Sequence, residues 1–303
     1  ALPNRILLVE LGASNRDVVV LEADVGSSTK SILFGNAYPD RYFNVGIAEG
    51  NMMAMAAGFA SCGKIPFVNT FAVFATLRAG DPLRSLVSLA RLNVKVAAAY
   101  GGLSDSYDGA THQSVEDIAI ARALPNMTVV VPTDAVETVE AVKAIAAHTG
   151  PVYLRLSRAP LPVLFSEAPD FEIGKGVIMR PGMDVTLLAC GYMVHKALEA
   201  AEILASRGID ARVIAMPTIK PLDTELVLEA ARETKGIVTI EEHNVHGGLG
   251  SAVAEYLVQA CPVPMKLIGI PDRYGESGDY EALLRKVGLD NLSITDQVMR
   301  FLG

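Results

Sequence analysis

The sequence is poor in the features that would tie it to a charged polymer, a membrane or an oxidising compartment. Lys and Arg number 26 against 34 Asp and Glu, for a formal net charge of −8, and no run of five or more basic residues occurs. Nucleic acid and anionic lipid are therefore not its expected partners. Cysteine is scarce: Cys62, Cys190 and Cys261 form an odd set at wide spacing without a C-x-x-C pair. That excludes a disulfide framework, implies no metal cluster and fits a reduced, cytoplasmic setting. No apolar run reaches the ~18 residues that span a bilayer, and the first residues show no basic stretch followed by an apolar one. The expectation is a soluble protein. Neither G-x-G-x-x-G after a strand nor G-x-x-x-x-G-K-[ST] appears, so the dinucleotide and P-loop fingerprints are missing too.

What is present is a chain of 303 residues, half of them hydrophobic, enough for two cores of roughly 100 to 200 residues each. Short runs rich in Val and Ile alternate with longer segments of helical period, the pattern of parallel sheets covered by helices on both faces. In the first half the predicted strands are 18–23, 66–70, 94–99, 128–131 and 152–156, with helices over 49–62, 71–91 and 134–148. The second half repeats the rhythm with strands at 185–190, 211–215, 237–241 and 265–270 and helices over 194–206, 224–234 and 250–259. Between them, 158–176 holds three prolines and several acids without periodicity and reads as a linker. The fold class expected is α/β: two three-layer α/β/α domains with mostly parallel sheets, 1–168 and a smaller 169–303.

One stretch concentrates the chemistry. In Arg41 to Met52 a short extended run breaks at Gly46 and delivers Glu49 to the start of an apolar helix, and no other charge follows as far as Gly63. Glu49 is either a first-turn acid, stabilised by ~0.3–1 kcal/mol from the free N–H groups, or a carboxylate with no cation beside it, waiting for a ligand nitrogen. The loop from Tyr100 to Gln113 follows a strand, where ligands bind in open α/β sheets, and sets Asp108 and His112 four apart around Gly109. Phe71 and Phe74 share one face of the predicted helix 71–91 and are either core or a stacking surface. The turn from Gly247 to Ser251 is either strand-to-helix packing or an anion cradle. His243 and His246 have metal spacing only on a helix, and the segment does not read as one.

Glu49 in GIAEGNM, Phe71 and Phe74 in TFAVFATLRAG, His112 in DGATHQ and the run IPDRYGESG over 270–278 together resemble the transketolase family. More narrowly they resemble the C-terminal subunit of a split transketolase, over essentially the whole chain. The resemblance implies a pyrimidine-binding domain followed by a transketolase C-terminal domain, with thiamin diphosphate as cofactor. The implied reaction moves a two-carbon ketol unit from a ketose (phosphate) to an aldose through the cofactor's ylide. Glu49 would bond N1′ of the aminopyrimidine, Phe71 or Phe74 would stack on that ring with Leu77 in the next turn, and Val25 and Ile47 would touch the cofactor. His112 would handle substrate hydroxyls, Asp108 would select a hydroxyl configuration, and Arg158, Ser28 and Arg5 would hold the sugar phosphate.

The G-D-G…N motif that grips the diphosphate and its metal in this family is absent here. The resemblance therefore implies a separate N-terminal subunit that carries the motif and Mg2+ or Ca2+, in an α2β2-type heterotetramer. Three positions depart from the family pattern: Tyr100 where histidine is usual, Tyr107 where Glu precedes the Asp, and Gly50 where Gln or His follows the Glu. A phenol replaces an imidazole poorly in shape and proton chemistry. That points to an unusual ketose, a modified sugar or a 2-oxo acid as substrate, with Tyr100 among the substrate-binding residues. Two other readings stand beside this one: the β subunit of a 2-oxo acid dehydrogenase E1 component or another thiamin diphosphate-dependent carboligase, and an assembly or regulatory subunit whose site has decayed. The T-H-Q context of His112 and the IPDRYGESG run favour the transketolase.

Overall fold

The computed structural model describes residues 2–303, and side chains from Leu7 onward. The first half supplies β1 (Val18–Glu22), β2 (Tyr42–Asn44), β3 (Ile65–Phe71), β4 (Lys95–Ala99), β5 (Thr128–Val130) and β6 (Val152–Arg155). The second supplies β7 (Val177–Arg180), β8 (Val185–Ala189), β9 (Ala211–Ala215), β10 (Thr218–Lys220), β11 (Ile237–Asn244) and β12 (Met265–Ile270). Among the described residues one sheet runs β10-β5-β6-β4-β3-β1-β2 and the other β12-β11-β8-β9-β7. Pairing is parallel except where β10 meets β5 and β7 meets β9, so the expected α/β class with mostly parallel sheets holds. The predicted strands all form, with ends shifted by a few residues. β7 and β10, four and three residues long and each paired antiparallel, are additions to the predicted strands.

Side-chain alternation explains why the strands need cover on both faces. Val18 and Val20 of β1 pack with Leu7, Leu8, Phe34 and the helix Ala135–Ala147, while Val19 and Leu21 pack with Met52 and Met53 of the helix Glu49–Ser61. The second of these cores runs on into Leu188, Ile214, Leu249 and Val253 of the second half. β10 crosses as well, its Thr218 pairing with Val130. The irregular stretch after β6, where the sequence places the boundary, separates the halves along the chain but not in space.

The single long helix expected over 71–91 is not there. Phe71 closes β3, a π-helical turn spans Phe74–Arg78, a short α-helical piece spans Gly80–Pro82, and a second π-helical turn spans Leu83–Ser88. Gly80 and Pro82 are the physical reason: proline has no N–H to give and crowds the carbonyl four residues back. The chain accommodates them with wider turns, closed by Ala79 N–H to the Phe74 carbonyl at 3.1 Å and Leu89 N–H to the Arg84 carbonyl at 3.0 Å. Such wide turns often mark functional sites.

Candidate active site

The carboxyl ends of β1, β3 and β4 converge on a small aromatic wall. Phe71 stacks on Tyr100 with ring centroids 4.4 Å apart and on Phe74 at 5.8 Å, both within 30° of parallel, and Val25 packs against the group. His112 meets the Phe74 ring steeply at 5.4 Å. Glu49 opens its helix beside this wall and is 5% exposed. The sequence left it without a cation, and the fold corrects that: Arg78, 29 residues on, gives Nη1–H to Glu49 Oε1 at 3.0 Å. The π-helical turn allows this, because it brings Arg78 back over Phe74, with Cζ 3.8 Å from the ring centroid.

A second cluster adjoins the first. Arg158 lies 5.2 Å from the Tyr100 ring centre, donates to Asp105 at 2.5 Å and stands 3.9 Å from Asp108. Asp105 is fully buried with Oδ2 unpartnered, and burial, then the charge of Asp108, pushes its carboxyl above the ordinary range. The Tyr100 hydroxyl donates to the Ser28 carbonyl at 3.3 Å, and Tyr100 itself holds the left-handed backbone (φ 64°) that places its ring on Phe71. Thr111 Oγ1 lies 3.0 Å from His112 Nδ1. Ile47 and Leu77 are 74% and 55% exposed, outside the wall. The Arg5 side chain lies outside the described residues.

Residues 5–163 match the transketolase pyrimidine-binding domain, and 174–294 match the transketolase C-terminal domain. The chain belongs to the transketolase family. It is 44% identical over 296 residues to a transketolase C-terminal section of Methanocaldococcus jannaschii, covering 96% of this chain and 92% of that one. It is also 44% identical to the 6-deoxy-6-sulfo-D-fructose transketolase subunit SqwH of a Clostridium species, covering 93% and 88%. A solved split-gene transketolase, described as an inactive beta4 tetramer, superposes with a TM-score of 0.90 at 47% identity, covering 99% of this chain and 96% of that one. The protein is accordingly a subunit of a thiamin diphosphate-dependent, transketolase-type transferase.

Within this transketolase subunit the wall suits the aminopyrimidine end of that cofactor. A flat group already occupies it: the Arg78 guanidinium stacks on Phe74 and bonds the buried Glu49. Among the described residues no cluster of three or more His, Cys, Asp or Glu could hold a metal ion. His243 has both ring nitrogens engaged, Nδ1 with the Asn244 carbonyl at 2.7 Å and Nε2 with Ala119 N–H at 3.2 Å. The glycine turn after β11 does cradle an anion, but an internal one: Glu241 accepts from Leu249 and Gly250 N–H at 2.7 and 2.8 Å.

Sequence reasoning missed three groups. Arg78 carried no signal, because its partner is remote and its helix was misread. Asp105 lies in the loop from Tyr100 to Gln113 but lacks the spacing around Gly109 that marks Asp108 and His112. The third is the clamp by which the second half holds that loop. Glu242 accepts from Leu103 N–H at 2.6 Å and from the Tyr280 hydroxyl at 2.8 Å, and burial pushes its carboxyl up to about 7. Gln113 donates to the Glu276 carbonyl at 2.9 Å, and Gly278 N–H to the Ser106 carbonyl at 2.9 Å, so the IPDRYGESG run fastens the loop bearing Asp108 and His112.

Proposed function

We propose that this chain supplies the pyrimidine-binding half of the active site to a two-subunit transketolase, which moves a two-carbon ketol unit from a ketose to an aldose. The observation that carries the reading is Glu49, a buried carboxyl joined through the Arg78 guanidinium to the flat Phe74 face. In this reading Glu49 holds a proton at the pyrimidine N1′, while Phe71, Phe74 and Val25 wall the ring and keep water from it. Exposed Ile47 and Leu77 touch the cofactor and meet the partner subunit. When bound, thiamin diphosphate supplies an electron sink for the bond-breaking step. His112 exchanges protons with substrate hydroxyls, as an imidazole near neutral pH can, and Asp108 selects their configuration.

The partner in this reading is an N-terminal subunit whose G-D-G…N motif holds the diphosphate and Mg2+ or Ca2+, in a heterotetramer with two copies of each chain. The division into domains 1–168 and 169–303 is supported by the family matches over 5–163 and 174–294. Arg158 and Ser28 face the far end of the sugar; the Arg5 side chain, also expected there, lies outside the described residues. The Arg158 charge is already shared with Asp105 and Asp108, so a terminus less charged than a phosphate dianion suits it better. Tyr100 fills the same region, and the relative named for a sulfo-sugar supports a modified substrate.

The enzyme reconstituted from both subunits tests this. Glu49→Gln is expected to lower ketol transfer by roughly 100-fold or more while leaving the assembly intact, the scale of a lost proton-transfer group. Less than a threefold loss would return Glu49 to a helix-start acid. In the same assay a sulfonated or dephosphorylated ketose should outpace xylulose 5-phosphate, and the reverse order would sink the substrate clause alone.

A further inference from the structure

Arg78 has no assigned role, yet it touches both groups on which the cofactor reading rests. We propose that it is a placeholder in the pyrimidine site: its guanidinium makes the two contacts that the aminopyrimidine ring would make, so arginine and ring compete for one place. Nη1 bonds Glu49 Oε1 at 3.0 Å, and Cζ lies 3.8 Å from the Phe74 ring centre. A guanidinium is planar, stacks on aromatic faces and hydrogen-bonds a carboxyl through its edge; an aminopyrimidine would use the same ring face and the same carboxyl, with the proton between Glu49 and N1′. Glu49 is 5% exposed and offers little room for a second donor beside Arg78. On the Phe74 side, Phe71 stacks alongside and His112 stands at a steep angle, so the ring too is crowded.

Arg78 is placed to leave. Its side chain is half exposed, and it is the last residue of the wide turn Phe74–Arg78, one position before Ala79 closes that turn. Swinging its head group into solvent breaks one hydrogen bond and one ring contact without disturbing the backbone. Those contacts are together worth a factor of roughly 5 to 30 in binding. Cofactor capture is weakened by that factor, and the carboxyl and ring face stay matched to each other until the cofactor arrives.

The test is calorimetric titration of thiamin diphosphate with Mg2+ into the complete two-subunit enzyme carrying the wild-type chain, Arg78→Ala, Arg78→Met or Arg78→Lys. Competition predicts a dissociation constant roughly tenfold lower for R78A and R78M, with faster association. R78K should fall between, because an ammonium keeps the charge but not the flat stack. It also carries the test if the neutral variants melt early. Equal or weaker binding by the variants overturns the placeholder, as does a cofactor-bound structure in which Arg78 still bonds Glu49. The proposal rests on the cofactor reading above. If the wild-type enzyme binds no thiamin diphosphate, both fall, whereas tight wild-type binding that the variants leave unchanged removes the placeholder alone.

Discussion

Arg155 Nε and Asp117 Oδ2 sit 2.8 Å apart with side chains 7% and 0% exposed, whereas Arg78 and Glu49 sit 3.0 Å apart with Arg78 50% exposed. The bonds are nearly the same, but the surroundings differ. Asp117 also accepts from the buried Tyr153 hydroxyl at 2.9 Å, and Arg155 reaches the Ser114 and Glu242 carbonyls at 3.2 and 2.9 Å. That pair is wired into both halves of the chain. Its charges cannot be rehydrated without opening the structure, so it behaves as a fixed clamp. The Arg78 head group already touches water, and solvent can replace its bond. Burial, more than bond length, decides which ion pair is scaffold and which can be exchanged for a ligand.

The largest effect expected from breaking this contrast is on the buried side. Arg155→Ala should cost about 3–5 kcal/mol, because Asp117 is left charged and unpaired where water does not reach. Denaturant unfolding of the chain measures it. A cost under about 1 kcal/mol would mean that the clamp is not holding the halves, and the comparison would fail at its stronger end.

How much of this was readable beforehand follows from where each interaction is encoded. Parallel strands buried on both faces leave continuous apolar runs, so β8, β9 and β12 were legible almost residue for residue. The helices Tyr280–Val287 and Asn291–Leu302 were overlooked, although Asp279 and Asp290 cap them with bonds of 3.0 and 3.2 Å; both carry the usual N-cap signal. The site divides in the same way. Glu49, Phe71, Phe74, Tyr100, His112 and Arg158 were each marked by local context or family resemblance, and the fold brings them into one neighbourhood. Arg78 and Glu242 act through partners 29 and 139 residues away, a pairing that only tertiary structure reveals.

Glu242 extends the contrast to pH. Its carboxyl is raised from the ordinary 4.5 to about 7 by burial, so between those values the folded chain holds a proton that the unfolded chain has released. Glu242 therefore stabilises fully below about 4.5 and loses that contribution as pH rises to about 7. Glu242→Gln keeps an acceptor for Leu103 N–H and removes the titration. The variant's stability difference between the two ends of that window should shrink by about 1–3 kcal/mol. An unchanged slope in urea titrations across the window would show that another buried acid, such as Glu137, also raised to about 7, carries the dependence.

The smallest effect sharpens the comparison most. In a double-mutant cycle of Arg78→Ala and Glu49→Gln on the chain, the coupling in unfolding free energy should be about 1 kcal/mol or less, the value of a half-exposed pair. The cycle is needed because Arg78→Ala alone also strands a buried carboxylate, a cost that belongs to the variant and not to the pair. The corresponding cycle on Arg155 and Asp117 should give several times more. If the Arg78–Glu49 coupling instead matches it, Arg78 is scaffold, and the guanidinium over Phe74 is too firmly held to yield its place to a cofactor.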